Sequence, residues 1–291
     1  MEKVKDLISV VIPAFNHTGD LQRAIKSVLR QTNINFEIVV VDDGSEEDIK
    51  SVCDTFSDKR IHYFRNDVHL NADAARNRGI KEAKGDFIAM LDADDEYLPG
   101  HLERRLKKIK EWGCDGIFGS AVVFDGTRER VKKSRPLGSN EKMADFLLTD
   151  GFCPTPSHFY RAEAVKKIDW DEALYRNQDY DFSIRFSEKF DFRCDPKPTV
   201  KVHWYKDRKQ KLTDIHFQSQ KYFIEKYRDS ISGDALVNYF YAMKKEAKDA
   251  GNDKAKAFYT GQLKKTAPGI KLPAILLKVR FKVVVNRLKM L

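Results

Sequence analysis

Three carboxylates stand directly behind an apolar run in Phe87-Ile-Ala-Met-Leu-Asp-Ala-Asp-Asp95. In extended chain, residues two apart project to the same side, so Asp92 and Asp94 can converge on one cation. Hard divalent ions such as Mg2+ and Mn2+ prefer these oxygens and commonly bridge protein to phosphate. The competing reading is that Asp94 or Asp95 caps a helix starting near Glu96. Against it, three adjacent acids repel one another and need a positive partner. A second acidic cluster is Asp42-Asp43-Gly44-Ser45. One of its carboxylates could accept a hydrogen bond from the N–H of a nucleotide base, although a turn followed by a helix cap accounts for the same residues. Pro13-Ala14-Phe15-Asn16 closes the first apolar run and, alone, reads equally as a strand-ending turn. In Asn71 to Gly79, Arg76 and Arg78 could grip a diphosphate through forked donors, or could belong to a solvated helix face. In Arg176-Asn-Gln-Asp-Tyr-Asp181, Asp179 or Asp181 could be a general base, or a helix-terminal acid stabilised by the dipole.

Other catalytic patterns are missing. There is no Gly-x-x-x-x-Gly-Lys loop, no Gly-x-Gly-x-x-Gly, no Gly-x-Ser-x-Gly and no His-Glu-x-x-His. His158 and His203 flank the possible base region and read as structural. Trp112, Trp170 and Trp204 read as core or groove walls, with Trp204 a candidate to stack on an acceptor. Cys53, Cys114, Cys153 and Cys194 are scattered, match no zinc pattern and are expected as free thiols.

The elements that must hold these clusters alternate in period. Ile8 to Ile12 is a continuous apolar run of strand length, stopping at Pro13. Leu21, Ala24, Ile25, Val28 and Leu29 then recur at helical spacing. Strands are expected at Phe36 to Val41, Ile61 to Phe64 and Phe87 to Leu91, with helices at Glu46 to Phe56 and Ala72 to Ala83. Strand alternating with helix predicts an α/β fold with a mostly parallel sheet flanked by helices, and continuous apolar strands agree because both faces are buried. Ligands bind beyond the carboxyl ends of such strands, where all these polar clusters are expected to fall. Further on, a helix is expected at Leu102 to Trp112, a strand at Gly116 to Phe124, a basic loop at Lys132 to Ser139, and helices at Met143 to Leu148 and Tyr180 to Glu188. The last third is helical and polar, clearest at Phe217 to Tyr227 and Ala235 to Ala250.

The chain has 291 residues, 42% hydrophobic and 33% charged, enough for a large domain with an appended module rather than a disordered chain. The division expected is a domain over 1–210, with a nucleotide-binding half at 1–100 and an acceptor and base half at 101–210, then a helical basic extension over 211–291. The net charge of +9 favours acidic or phosphorylated partners. No acid follows Asp253, but ten Lys or Arg do. The basic and apolar residues of 271–291 suit contact with an anionic membrane surface, and equally a helix packed on the domain. The first apolar run is too short for a signal peptide and no stretch reads as a spanning helix, so a cytoplasmic location, peripheral on the inner face of the membrane, is expected.

In order and together, Ile8-Ser-Val-Val-Ile-Pro-Ala-Phe-Asn16, Val40-Val-Asp-Asp-Gly-Ser45, Ala75-Arg-Asn-Arg-Gly79 and Leu91-Asp-Ala-Asp-Asp95 resemble the inverting family 2 glycosyltransferases of GT-A fold, of the bacterial surface-polysaccharide type. The likeness is strong over residues 8 to about 100, moderate to about 210, and fades beyond. It implies a nucleotide-sugar donor site at Pro13, Ala14, Phe15, Asn16, Asp42, Asp43, Arg76, Asp92, Ala93 and Asp94. Pro13, Phe15 and Asp43 would hold uracil, and Arg76 would lie near the diphosphate. Asp92, Asp94 and Asp95 would serve ribose, diphosphate and a divalent cation, Mn2+ or Mg2+. Asp179 would be the base. Pro154 to Arg161 matches the segment that usually lines the acceptor side, and the acceptor would be a saccharide or lipid-linked saccharide. Two departures stand out: the family's Glu-Asp pair is Gln178-Asp179 here, so Asp179 loses an acidic neighbour, and Asn71-Ala72 replaces the frequent Asn-x-Gly. A sugar nucleotidyltransferase would also need paired acids on a parallel sheet, but the glycine-rich basic loop it usually carries near the first strand is missing. A basic nucleic-acid-binding module is disfavoured because acids cluster at the site and no recognition motif appears, so nucleic acid is not expected as a partner.

Overall fold

The computed structural model describes residues 6–204 and 212–267. They form two compact units. The first contains β1 (Ile8–Ala14), α1 (Thr18–Leu29), β2 (Phe36–Asp42), α2 (Ile49–Asp54), β3 (Ile61–Arg65), α3 (Ala72–Glu82), β4 (Phe87–Met90), β5 (Glu96–Tyr97), α4 (His101–Trp112), β6 (Gly116–Gly119), β7 (Ala121–Phe124) and β8 (Glu129–Lys132). The chain then leaves through α5 (Met143–Thr149), which belongs to the second unit. It returns for β9 (Phe159–Arg161), α6 (Ala162–Val165), α7 (Gln178–Lys189), β10 (Phe192–Asp195) and β11 (Val200–His203).

The main sheet has seven strands in the order β10-β6-β9-β4-β1-β2-β3. All neighbours are parallel except β9, which runs against both β4 and β6. Every residue of β1 and β2 is buried, so both faces are covered and the sequence shows unbroken apolar runs instead of alternation. Leu21, Ala24, Ile25 and Val28 of α1 are buried as their spacing requires.

Pro13 does not end β1; it pairs with Val41 inside it. Val11 turns its carbonyl toward β4, where it accepts from Leu91 N. By strand alternation Pro13 points the same way, past the last pairing of β4 at Met90. The missing N–H therefore faces no ladder.

The single strand expected over Gly116 to Phe124 is two. β6 joins the main sheet, while β7 enters a second sheet ordered β5-β11-β7-β8. The crossing falls at fully buried Ser120. Gly119 lies against the Asp195 carbonyl, and a Cβ there would meet Arg105 Nη2 at 2.7 Å. α4 is bound to β10 by charge: Asp195 receives Arg104 through Nε at 2.6 Å and Nη2 at 2.7 Å, and Arg105 Nη1 at 3.1 Å.

In the second unit α5 accompanies α8 (Asp214–Tyr227), α9 (Gly233–Asp249) and α10 (Asp253–Thr266). Asp145 Oδ1 accepts from Ser232 N at 2.7 Å, fixing α5 to the start of α9. Phe217, Phe223, Tyr239, Phe240 and Tyr259 supply its aromatic core. The sequence reading kept residues 138–151 in the first domain; the structure groups them with these helices. Among the described residues no helix is long and apolar enough to cross a membrane. The membrane contact expected of 271–291 lies outside the described residues.

Candidate active site

α3 carries an arginine to the sheet's carboxyl edge, and its close seating makes that possible. Gly79 packs directly on Val11 of β1, where a Cβ would collide, and a Cβ would also crowd Val41 of β2 at 3.3 Å. At the other end Asn71 caps the helix, accepting from Asp73 N and Ala74 N at 3.0 Å each. Arg76 then donates through Nη1 to Asp73 Oδ1 and through Nη2 to Asp92 Oδ1, both at 2.7 Å. Its guanidinium lies 4.6 Å over the Trp170 ring, which stacks on Phe182 of α7 at 4.3 Å and 15°. The Arg76 Nε and Asp73 Oδ2 are buried without a hydrogen-bond partner among the described residues. Burial first, opposed by Arg76, pushes the Asp73 carboxyl up to about 7.

Residues 92–95 are a turn, closed by Asp95 N donating to Asp92 O at 3.0 Å. The extended geometry expected to align Asp92 with Asp94 is therefore replaced by a tighter one. The positive partners that three acids require are Arg76, on Asp92, and Arg23 of α1, whose Nη2 donates to the Asp94 carbonyl at 2.6 Å. Ala93 is partly buried at the head of this turn. Asp95 is buried and accepts from His203 N of β11 at 2.8 Å. Burial, then the charges of Asp94 and Asp92, push its carboxyl well above the usual range. Among the described residues no three His, Cys, Asp or Glu side chains gather as a metal site. An ion of the Mg2+ kind is commonly held by only one or two carboxylates plus substrate phosphates.

The acids of the second cluster part company. Asp42, fully buried, accepts from Ser45 N at 2.9 Å, Tyr63 Oη at 2.7 Å and Arg65. Burial raises its pKa, but the Ser45 and Tyr63 hydrogen bonds and the Arg65 charge prevail, and the net shift is downward. Asp43, just past the carboxyl end of β2, is buried as well. Its N donates to Ala14 O at 2.8 Å. Its Oδ1 accepts from Asn66 Nδ2 at 2.7 Å, and its Oδ2 from Leu70 N at 3.1 Å. Arg78, a diphosphate candidate by sequence, instead donates to Arg65 O and Asn66 Oδ1 and so steadies the asparagine that holds Asp43. Pro13 and Ala14 are buried, whereas Phe15 is 40% exposed. Asn16, in the left-handed region at φ 54°, accepts from Glu46 N at 3.0 Å and links the two loops.

Asp179 lies in the first turn of α7, partly buried. Burial pushes its carboxyl up to about 6, against the Tyr180 N hydrogen bond and the Arg76 charge, with Asp92 raising it further. The group thus feels the Arg76–Asp92 pair. Asp181 is fully buried and taken by Arg185 Nε at 2.8 Å. Of the two base candidates, Asp179 is the accessible one. His158 is structural: buried between Cys153 Sγ at 3.1 Å and Tyr160 Oη at 2.8 Å, it is pushed down to about 3 by burial. The four cysteines are free and buried. Trp204 is 53% exposed, with Lys132 Nζ 5.2 Å over its ring and 4.2 Å over Phe152.

Asp73, on Arg76, and His69, whose Nδ1 lies 2.8 Å from Asp43 Oδ2, carry parts of this arrangement that sequence reasoning missed. The Asp73–Arg76 spacing of three on a helix was a usable signal; nothing in the sequence marked His69.

Acids at the carboxyl ends of parallel strands, a buried arginine fork and a carboxyl at a neighbouring helix start gather at the edge of the sheet where ligands of such folds bind. Staphylococcus aureus TarS, residues 1–349, has this fold: it superposes with a TM-score of 0.66 at 16% identity, over 90% of this chain and 81% of that one. The model of glycosyl transferase family 2 matches residues 9–169, and the chain belongs to that family. Over 202 residues it is 32% identical to the amylovoran biosynthesis glycosyltransferase AmsB of Erwinia amylovora, 65% of this chain and 67% of that protein. Over 177 residues it is 38% identical to the GalNAc(5)-diNAcBac-PP-undecaprenol beta-1,3-glucosyltransferase of Campylobacter jejuni, 59% of this chain and 57% of that protein.

Proposed function

We propose that this glycosyltransferase moves a sugar from a UDP-sugar to a hydroxyl of a saccharide or lipid-linked saccharide, with inversion, in the making of a surface polysaccharide. The observation that carries the mechanism is Asp179, partly buried at the start of α7, raised to about 6 by that burial and within the field of Arg76 and Asp92. A general base works best with a pKa near the operating pH, and a carboxyl near 6 is ionised at neutral pH yet basic enough to take a hydroxyl proton. Supporting the donor, the S. aureus TarS structure with UDP-GlcNAc has the same fold, TM-score 0.60 at 15% identity over 89% of this chain and 88% of that one. The name of the C. jejuni relative supports a lipid-linked saccharide acceptor.

In this reading Phe15 and Asp43 orient the base, and Arg76 sets Asp92. Asp92 and Asp94 would hold the divalent cation, which supplies positive charge to the departing diphosphate. Asp95, turned toward β11, supports their turn. Asp179 accepts the acceptor proton as the hydroxyl attacks the face opposite the leaving group. One base and one displacement invert the anomeric centre. Trp204 offers an exposed ring for the acceptor sugar. The tail over 271–291 would bring the enzyme to an anionic membrane that carries a lipid-linked acceptor.

The test is the stereochemistry of transfer. With UDP-glucose or UDP-GlcNAc and a saccharide acceptor, NMR of the product should show the anomeric configuration opposite to the donor's, and Asp179→Asn should abolish the signal. Retention, or full activity of that variant, would overturn the mechanism.

A further inference from the structure

The imidazole of His69 makes the two contacts expected of a nucleobase at this edge. It lies on the Phe15 ring with centroids 3.8 Å apart and planes at 24°. Its Nδ1 meets Asp43 Oδ2 at 2.8 Å; a carboxylate oxygen accepts there, so the imidazole N–H donates. A stack on Phe15 and an N–H on Asp43 are the same pair of contacts assigned above to the donor's base. The rings leave no room for a third between them, which would need roughly twice this separation.

The backbone that carries His69 is pinned. Leu70 N is bonded to the same Asp43 oxygen. Gly44, at φ +75°, sits so close beneath that a Cβ would meet His69 N at 2.6 Å. The side chain is different: it is 49% exposed and can rotate about χ1 without moving the loop.

We propose that His69 occupies the nucleobase subsite of the ligand-free enzyme and must swing off Phe15 and Asp43 before a nucleoside diphosphate binds. The proposal rests on the donor-site reading. Rotation would leave Asp43 Oδ2 with one accepting position for a base N–H, while Leu70 N keeps the carboxylate aimed. His69 is thus a built-in competitor. It lowers donor affinity by the fraction of molecules in which it is seated, and it admits only a base able to replace both contacts.

Calorimetric titration of the full chain tests this with UDP, and with pyrophosphate as a ligand lacking the base. His69→Ala should bind UDP roughly 5- to 20-fold more tightly, the worth of one stack and one hydrogen bond, with pyrophosphate affinity unchanged. Phe15→Ala should weaken UDP. If His69→Ala leaves UDP affinity equal or lower while Phe15→Ala weakens it, His69 is a wall or bystander, the inference is wrong and the donor site stands. If Phe15→Ala has no effect, or UDP does not bind at all, the donor-site reading fails and the inference fails with it.

Discussion

Arg76 holds two carboxylates from different elements in one fork, Asp73 of α3 through Nη1 and Asp92 beyond β4 through Nη2, at 2.7 Å each. Its flat face rests on Trp170, and Trp170 on Phe182 of α7. The helix that carries Asp179 and the turn that carries Asp92 are therefore tied to one buried guanidinium.

Removing that guanidinium leaves two carboxylates without their shared cation. Arg76→Ala should cost about 3–5 kcal/mol, lowering the melting temperature by roughly 6–20 °C. Arg76→Lys keeps the charge but not the fork, so it should melt closer to wild type while transfer still falls at least about tenfold. Thermal melts beside a transfer assay check this; a lysine variant with wild-type turnover would mean the fork has no part in setting Asp92.

Asp179 should set the acid limb of the pH profile. With the carboxyl near 6, kcat should rise with pH up to about 6 and level above it, because only the ionised form takes a proton. Asp179→Asn should lower kcat by about 10²–10⁴ and leave the Kd of UDP within roughly twofold. Loss of UDP binding in step with turnover would place Asp179 in the donor site instead.

Asp73 makes a stability prediction with a definite sign. Its folded pKa, about 7, lies above the unfolded value, so folding favours its protonated form. That contribution is complete below about pH 4 and is lost as pH rises through 7. Asp73→Asn, which cannot ionise, should gain on wild type between pH 5 and pH 8, by on the order of 1–3 kcal/mol. Denaturant titrations at both pH values measure it; a constant difference would show that Asp73 stays ionised throughout.

Gly79→Ala should be destabilising by about 1–3 kcal/mol, because its Cβ collides with Val11 and crowds Val41. It should also weaken transfer, since the helix it displaces carries Arg76. A variant of wild-type stability would mean that α3 can lift from β1 at no cost.

The tail gives a separate prediction. Deleting residues 268–291 should move the protein from anionic vesicles to the supernatant on sedimentation. Unchanged partitioning would remove the membrane from the account.

The first half of the sheet was readable because β1 and β2 are buried on both faces and leave unbroken apolar runs between helical repeats. Order along the chain then located the acid clusters at strand ends. The middle was harder for a physical reason. Gly116 to Phe124 is apolar but for Ser120, and periodicity cannot show that the chain changes sheets there. β9 has three residues, too few to make a pattern. Residues 138–151 join the helices of 212–267 through long-range contacts, which local composition does not register. At the site, the sequence could nominate Asp42 and Asp43 together. Only coordinates separate an Asp42 held by Ser45, Tyr63 and Arg65 from an Asp43 held by Asn66, the Leu70 N–H and His69. The raised Asp179 shows the same limit: the missing acidic neighbour was visible, but its pKa is set first by burial.

The most direct test of the central claim is a thermal-shift panel of UDP, GDP and common nucleotide sugars, each with Mn2+, Mg2+ or a chelator. Stabilisation by UDP and at least one UDP-sugar is predicted, on the order of 3 kcal/mol at a hundred times Kd and lost in chelator. No shift with any nucleotide, or an equal shift in chelator, would contradict the claim that this is a metal-dependent enzyme using a UDP-sugar.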